Sequence, residues 1–194
     1  MVKTLSITAL ALLLLLGGCS DSKKSTQTRQ TQQAQEAEAL IAKTGYTLND
    51  INGGTYEITK AGTDFRISGT PEPIVIYDIF ATWCPPCRAE APHLSSLQKK
   101  FAGKIKIIGV TIEEGNDNAY YQRFAEDNGV DYALVNSTDN QKFSRAVAGA
   151  IGVGQDFPIP LMVVYKNGRF VKYYSGLIPE EMLESDLKQL TEAL

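Results

Sequence analysis

From Gly45 onward the chain alternates short apolar runs with polar, turn-forming breaks. Its most continuous apolar run, Ile74-Val75-Ile76-Tyr77-Asp78-Ile79-Phe80, contains a single acid and predicts a buried strand of a mixed sheet. A helix is expected from about Cys84 to Phe101, interrupted at Pro92, where the missing N–H predicts a kink. Lys104–Thr111 reads as a second buried strand, parallel to the first by the βαβ rule. Asn118–Asn128 has helical periodicity and stops at Gly129. A short strand, Tyr132–Val135, and a helix, Gln141–Ala150, follow. Leu161–Tyr165 and Phe170–Tyr174 form an antiparallel hairpin across Asn167-Gly168, and Pro179 opens a last helix. Ahead of the central strand, Tyr46-Thr47-Leu48 and Tyr56-Glu57-Ile58 flank the turn Asn52-Gly53-Gly54 as a hairpin. Phe65-Arg66-Ile67 adds a short strand before Thr70-Pro71-Glu72-Pro73.

The first 44 residues have a different texture. Residues 1–18 read as a signal peptide, with Lys3 before an apolar core at Ala9–Leu16, too short for a membrane span. Leu16-Gly17-Gly18-Cys19 resembles a bacterial lipobox, which implies that Cys19 becomes an acylated N-terminus; the alternative is a chance cysteine after an ordinary signal. Residues 19–44 are rich in Ser, Thr, Gln and Glu and read as a lipid-anchored, flexible tether with a reach of about 25–30 Å. The folded domain is expected over residues 45–194.

Composition narrows the field. With 194 residues, 43% hydrophobic and 21% charged, the chain suits one globular domain plus extras. A net charge of −3 and no basic patch argue against nucleic acid as a partner. Of three cysteines, one lies at the lipobox and two form Cys84-Pro85-Pro86-Cys87, so no structural disulfide framework exists. A pair two residues apart, after a strand and opening a helix, forms a dithiol that closes into a disulfide. Cys84 at the helix start faces free N–H groups and the positive end of the dipole, which favour its thiolate. Cys84 is therefore expected to be the exposed nucleophile, and Cys87, one turn on and more buried, the resolving thiol. A zinc site built on the pair lacks further ligands, since the domain has no other cysteine and one histidine, His93, to which no role is assigned. Asp78 is either a buried acid with a task or a strand-edge acid facing water; its apolar neighbours favour burial, which raises a carboxyl's pKa toward neutrality. Glu90 alone reads as a solvated helix position, and Trp83 as part of a surface beside Cys84.

Trp83, Cys84, Cys87, Pro92, Pro160 and Gly176, with Asp78 six residues before Cys84, fall at the spacing of thioredoxins. The wording Trp-Cys-Pro-Pro-Cys-Arg-Ala-Glu-Ala-Pro resembles the membrane-tethered TlpA/ResA branch, although that branch often has Asn or Glu where Asp78 stands. The resemblance covers roughly residues 45–194. It implies an α/β thioredoxin-like fold: a central mixed sheet flanked by helices, with an N-terminal β-hairpin extension and a central αβ insertion. It further implies that Asp78 moves the proton of Cys87, that Pro160 (rather than Pro158) is cis and presents Ile159 to Cys84, and that Glu90 modulates cysteine acidity. Trp83, Pro85, Pro86 and Ile159 then make the substrate surface. The function implied is an extracytoplasmic, membrane-anchored thiol–disulfide oxidoreductase with no cofactor beyond the Cys84–Cys87 disulfide and no metal, facing the periplasm or cell exterior. It would reduce protein disulfides, apocytochrome c among them, fed by a membrane thiol transporter, and act as a monomer. The alternatives are a disulfide donor, for which Pro85-Pro86 leaves the direction open, and non-enzymatic use of the fold as a metal carrier or chaperone. A copper chaperone of the Sco type fits poorly, because its cysteines lie three residues apart.

Overall fold

The computed structural model describes residues 45–192. Cys19, the signal segment and the tether expected from the sequence lie outside the described residues. Strand β4 (Ile74–Phe80) is buried at every position. It is the middle of a five-stranded sheet of order β6-β5-β4-β7-β8, built with β5 (Ile105–Thr111), β6 (Ala133–Val135), β7 (Leu161–Lys166) and β8 (Arg169–Ser175). β5 runs parallel to β4 and β6 parallel to β5, whereas β7 and β8 are antiparallel, so the sheet is mixed as expected. A strand hydrogen-bonded on both edges and covered on both faces has no polar side to offer, which is why β4 reads as an unbroken apolar run.

Side chains alternate along β4 and separate two cores. On one face Ile74 and Ile76 pack with Leu94, Leu97 and Phe101 of α1 (Pro85–Lys100) and its C-cap, and with Leu183 and Leu187 of α4 (Glu180–Glu192). At the carboxyl end of that face Phe80 meets Cys84, Cys87, and Tyr121 and Phe124 of α2 (Asn118–Asn128). On the opposite face Val75, Tyr77 and Ile79 pack with Phe143 and Val147 of α3 (Asn140–Ala150). The same core takes in Tyr46, Leu48, Ile58 and Phe65 of a second sheet.

That second sheet is antiparallel, of order β1-β2-β3, from Gly45–Asn49, Thr55–Ala61 and Asp64–Ser68. The expected hairpin is thus extended by the segment around Phe65. It is tied to the larger sheet and to α3: Phe65 N–H donates to Gly168 O at 3.0 Å, Ile51 N–H to Leu134 O at 2.9 Å, and Thr47 N–H to Oδ2 of Asp139, the N-cap of α3, at 2.9 Å. Asn167 and Gly168, with φ of 52° and 76°, make the tight turn between β7 and β8. The central insertion supplies the edge strand β6.

Helix α1 differs from expectation at Pro92, where it continues without a break. Pro92 and Arg88, whose carbonyl loses its partner, both lie on the exposed side of the helix, where the lost bond costs least.

Phe143 is fully buried, with its ring centroid 5.4, 5.6 and 4.8 Å from Tyr46, Phe65 and Tyr77. It joins α3, the small sheet and β4. Phe143→Ala is expected to lower stability by about 3–5 kcal/mol in urea unfolding, while the Cys84–Cys87 reduction potential stays at the wild-type value.

Candidate active site

Beyond Phe80 the chain leaves the sheet and Cys84 becomes the N-cap of α1, in an extended conformation with φ −81° and ψ 113°. Its sulfur accepts the Cys87 N–H at 3.3 Å. Pro85 and Pro86 occupy the first two helical positions, where their fixed φ suits a helix start but neither supplies an N–H. Cys87 therefore carries the earliest backbone donor of the helix. The two sulfurs are joined in a disulfide, with Cα atoms 5.3 Å apart.

Cys84 and Cys87 are equally buried, at 3% and 4% exposure, so the expected contrast between an exposed and a covered cysteine is absent in the oxidised state. The cause is the packing over Cys84: Ile159 O lies 4.0 Å from its sulfur, and Ile159 packs on the cluster that holds both cysteines. The Ile159–Pro160 peptide bond is cis. Trp83, 63% exposed, and Pro85 stand outward beside the disulfide, with Pro86 half-buried. His93 is exposed.

Asp78 lies on the α1 side of β4, between Ile76, which packs under Leu94 and Leu97, and Phe80, which packs with the cysteines. It is buried, and it accepts a hydrogen bond from Tyr132 Oη at 3.4 Å on Oδ2 while Oδ1 has no partner. Burial raises its pKa to about 7, offset in part by the Tyr132 hydrogen bond. Glu90, one turn beyond Cys87, is 3% exposed and has no partner on either oxygen, so the solvated reading does not hold. Burial, and then the charge of Asp78, push its pKa up to about 9. Two protonatable carboxyls thus sit beneath the amino-terminal half of α1.

The loop carrying the disulfide is held by a network that the sequence reading did not identify. Glu113 accepts Thr82 N–H at 2.7 Å and Thr82 Oγ1–H at 2.9 Å, and also Thr111 Oγ1–H at 3.3 Å. Because the Thr82 hydroxyl proton is committed to Glu113, Tyr120 Oη donates to Thr82 Oγ1, at 2.7 Å. The available sequence signal was an acid just past the carboxyl end of the strand beside the motif strand, where sites collect in parallel sheets. Tyr132 left no such signal.

Chemically, the arrangement offers a buried disulfide flanked by the exposed Trp83 and Pro85, a helix start at one sulfur and two buried carboxyls nearby. Since the native carboxyls hold protons that the unfolded chain releases, stability falls as pH rises from 3.8 to about 7 for Asp78 and from 4.5 to about 9 for Glu90. The oxidised protein is expected to be less stable at pH 9 than at pH 5. In urea unfolding Asp78→Asn should flatten that slope and gain about 2–4 kcal/mol over wild type at the alkaline end.

Residues 33–191 match the Redoxin family. The chain is 28% identical over 151 residues to the thiol-disulfide oxidoreductase ResA of Geobacillus thermodenitrificans, covering 77% of this chain and 74% of that protein. It is 27% identical over 127 residues to a thioredoxin of Bacillus subtilis, covering 66% and 91% respectively. A thiol:disulfide interchange protein of the thioredoxin family from Chlorobium tepidum TLS superposes with a TM-score of 0.58 at 22% identity, over 75% of this chain and 92% of that one. StoA from Bacillus subtilis does so with a TM-score of 0.53 at 17% identity, over 73% and 94%. Both share its thioredoxin-like fold. The matched span takes in both sheets and the Cys84–Cys87 disulfide at the start of α1, and the chain belongs to the Redoxin family, as a thiol–disulfide oxidoreductase of the ResA and thioredoxin type.

Proposed function

We propose that the protein is a reductant of protein disulfides. The observation that carries the direction is the helix start. A thiolate at an N-cap is stabilised by the first free N–H groups of the helix, and here prolines remove two of them and leave Cys87 N–H at 3.3 Å. The reduced form thus gains little from the helix relative to the disulfide. Buried carboxyls beneath Cys87 add to this, because a negative charge on either disfavours a second one on sulfur. A dithiol whose thiolates are poorly stabilised gives up its electrons readily.

In the forward reaction the Cys84 thiolate attacks one sulfur of a substrate disulfide, and the substrate's other sulfur leaves as a thiolate. The Cys87 thiol passes its proton to the Asp78 carboxylate and attacks Cys84 Sγ. That releases the second substrate thiolate and leaves Cys84–Cys87 oxidised, two electrons having passed to the substrate. Glu90 modulates the acidity of the pair, and Trp83, Pro85, Pro86 and Ile159, with cis-Pro160, form the substrate surface. The redox pair is the protein's whole cofactor. The resemblance to the TlpA/ResA branch supports an extracytoplasmic placement facing the periplasm or cell exterior, with residues 1–18 as a lipoprotein signal, Cys19 as lipid anchor, and 19–44 as tether to the catalytic domain. It also supports a membrane thiol transporter as electron donor, and apocytochrome c haem-site cysteines among the substrates. Among the described residues no helix is long and apolar enough to cross a membrane.

Equilibration with glutathione is expected to give a reduction potential nearer the about −270 mV of thioredoxin than the about −120 mV of the oxidant DsbA. Pro86→Ala restores a donor to the Cys84 sulfur and should raise the potential by roughly 30 mV or more. A potential near −120 mV in wild type would make the protein a disulfide donor instead.

Cys87→Ser should leave the mixed disulfide on Cys84 unresolved. Covalent complexes that vanish on adding reductant should accumulate in the membrane fraction and shift out of it when Cys19→Ala is added. Trapping in Cys84→Ser but not in Cys87→Ser would reverse the roles of the two cysteines. No trapping in either variant would end the exchange reading for this chain.

A further inference from the structure

We infer that Tyr132 is a positioning residue for the exchange reaction. Its hydroxyl, carried over strand β5 through the space beside Gly109, holds Asp78 by Oδ2 and leaves Oδ1 as the proton-accepting atom. The inference rests on the reading of Asp78 as the proton acceptor for Cys87.

The register sets the geometry. Gly109 is the direct neighbour of Asp78 across the parallel β4–β5 pair. Tyr132 lies just before β6, on the far side of β5, and its hydroxyl crosses the width of β5 to donate to Asp78 Oδ2 at 3.4 Å. A ring can cross there because Gly109 has no side chain. A Cβ at that position would sit 2.6 Å from Leu134 Cδ2, 3.1 Å from Tyr132 Cε2 and 3.3 Å from Phe80 Cε1. Contacts under 3 Å are not tolerated without movement. The φ of Gly109 lies outside the left-handed region, so turn geometry gives no reason for a glycine in this strand. The reason is the side chains packed against it, Leu134 first and the Tyr132 ring next.

The hydrogen bond fixes which oxygen is free. Tyr132 remains a donor throughout the working range, because burial and the carboxyls of Asp78 and Glu90 hold its phenol protonated. Oδ2 is therefore committed, and Oδ1, which has no partner, is open to a proton. The ionisable groups that interact with Asp78 are Glu90 of α1 and Tyr132, with Cys87 of α1 and Tyr121 of α2 in the adjoining cluster around Phe80; its partners on the flanking strands, Gly109 and Met162, do not titrate. A bond to the charged form favours it. Tyr132 thus offsets part of the burial and makes the carboxylate available at lower pH than an unassisted acid at that depth.

The test uses Tyr132→Phe, which keeps the ring that packs beside Gly109 and removes the hydroxyl. In the oxidised full-length protein, isotope-edited infrared or carbon NMR reads the titration midpoint of the Asp78 carboxyl. Stopped-flow kinetics read the resolution of a mixed disulfide between Cys84 and a small aromatic thiol against pH. Tyr132→Phe is expected to move both midpoints upward by about one pH unit and to slow resolution several-fold near neutrality, with the attack of Cys84 unchanged. Gly109→Ala, whose Cβ crowds Leu134 and the Tyr132 ring together, should shift the midpoints the same way. An unmoved carboxyl midpoint in Tyr132→Phe overturns the inference. Asp78→Asn separates the two levels. If it leaves the pH profile of resolution unchanged, the assignment of Asp78 itself falls. If it abolishes the pH step while Tyr132→Phe leaves the step in place, Asp78 stands and Tyr132 does not.

Discussion

A carboxyl group at the middle of a strand buried along its whole length is the constraint on which this structure turns. Placing Asp78 there costs desolvation free energy, and its oxygens find one hydrogen bond between them. Such a residue persists only where its surroundings leave the backbone no alternative. Here β4 is paired along almost its full length to β5 on one side and β7 on the other, and covered on both faces. The rigidity of the central strand keeps an unfavourable acid below the start of α1. The glycine beside it, the tyrosine that reaches it and the second buried acid above it are all accommodations to that placement.

The two faces of the sheet divide the work. Away from the disulfide, Tyr46, Phe65, Tyr77, Phe143 and Tyr165 meet in edge-on and stacked contacts, arrangements that aromatic pairs favour beyond the area they bury. Even this face contains costs, since the hydroxyls of Tyr77 and Tyr165 are buried without partners. On the disulfide side the aliphatic packing of α1 and α4 is confined to the end of the sheet away from the cysteines. The end near them combines two acids and the two sulfurs with Phe80, Phe124, Tyr121 and Tyr132. The poorly partnered acids thus sit within an otherwise apolar setting, where their burial is costly.

What the sequence disclosed follows from how local each signal is. The apolar run of β4, the Cys-Pro-Pro-Cys at a helix start and the Asn-Gly turn are properties of adjacent residues, and the corresponding elements lie where those patterns put them. The burial of Asp78 was readable because its neighbours in sequence are its neighbours in the strand. Glu90 was not, because a helix residue's burial depends on which face meets the sheet, and Arg88 and Ala89 beside it are exposed. Glu113, Tyr120 and Tyr132 come from segments 30 to 60 residues beyond the atoms they hold, and only the strand order brings them in. Gly109 is the clearest case: within Ile-Lys-Ile-Ile-Gly-Val-Thr a glycine looks like a weak point, and its purpose appears only when Leu134 of the next strand and the Tyr132 ring just before it are in place.

The site applies separate controls to its two sulfurs. At Cys84 the control is the count of backbone donors, reduced by two prolines that leave the helix conformation itself undisturbed. Removing donors changes the relative free energy of thiolate and disulfide, which is an equilibrium effect. Under Cys87 the proposed control is the Asp78 carboxyl, raised toward neutrality by burial: as a proton acceptor it would act on the rate of resolution, and as a charge it would also disfavour a thiolate. A strong thiolate-stabilising helix start would ease the first attack but make the mixed disulfide easier to reverse, since Cys84 would then be a better leaving group. Weak stabilisation at Cys84 combined with assisted deprotonation at Cys87 avoids this, because the second thiol is activated without making the first a better one to expel. The proline pair and the buried acid are thus complementary: both disfavour a thiolate at equilibrium, and in the proposed mechanism the acid also takes the proton of Cys87.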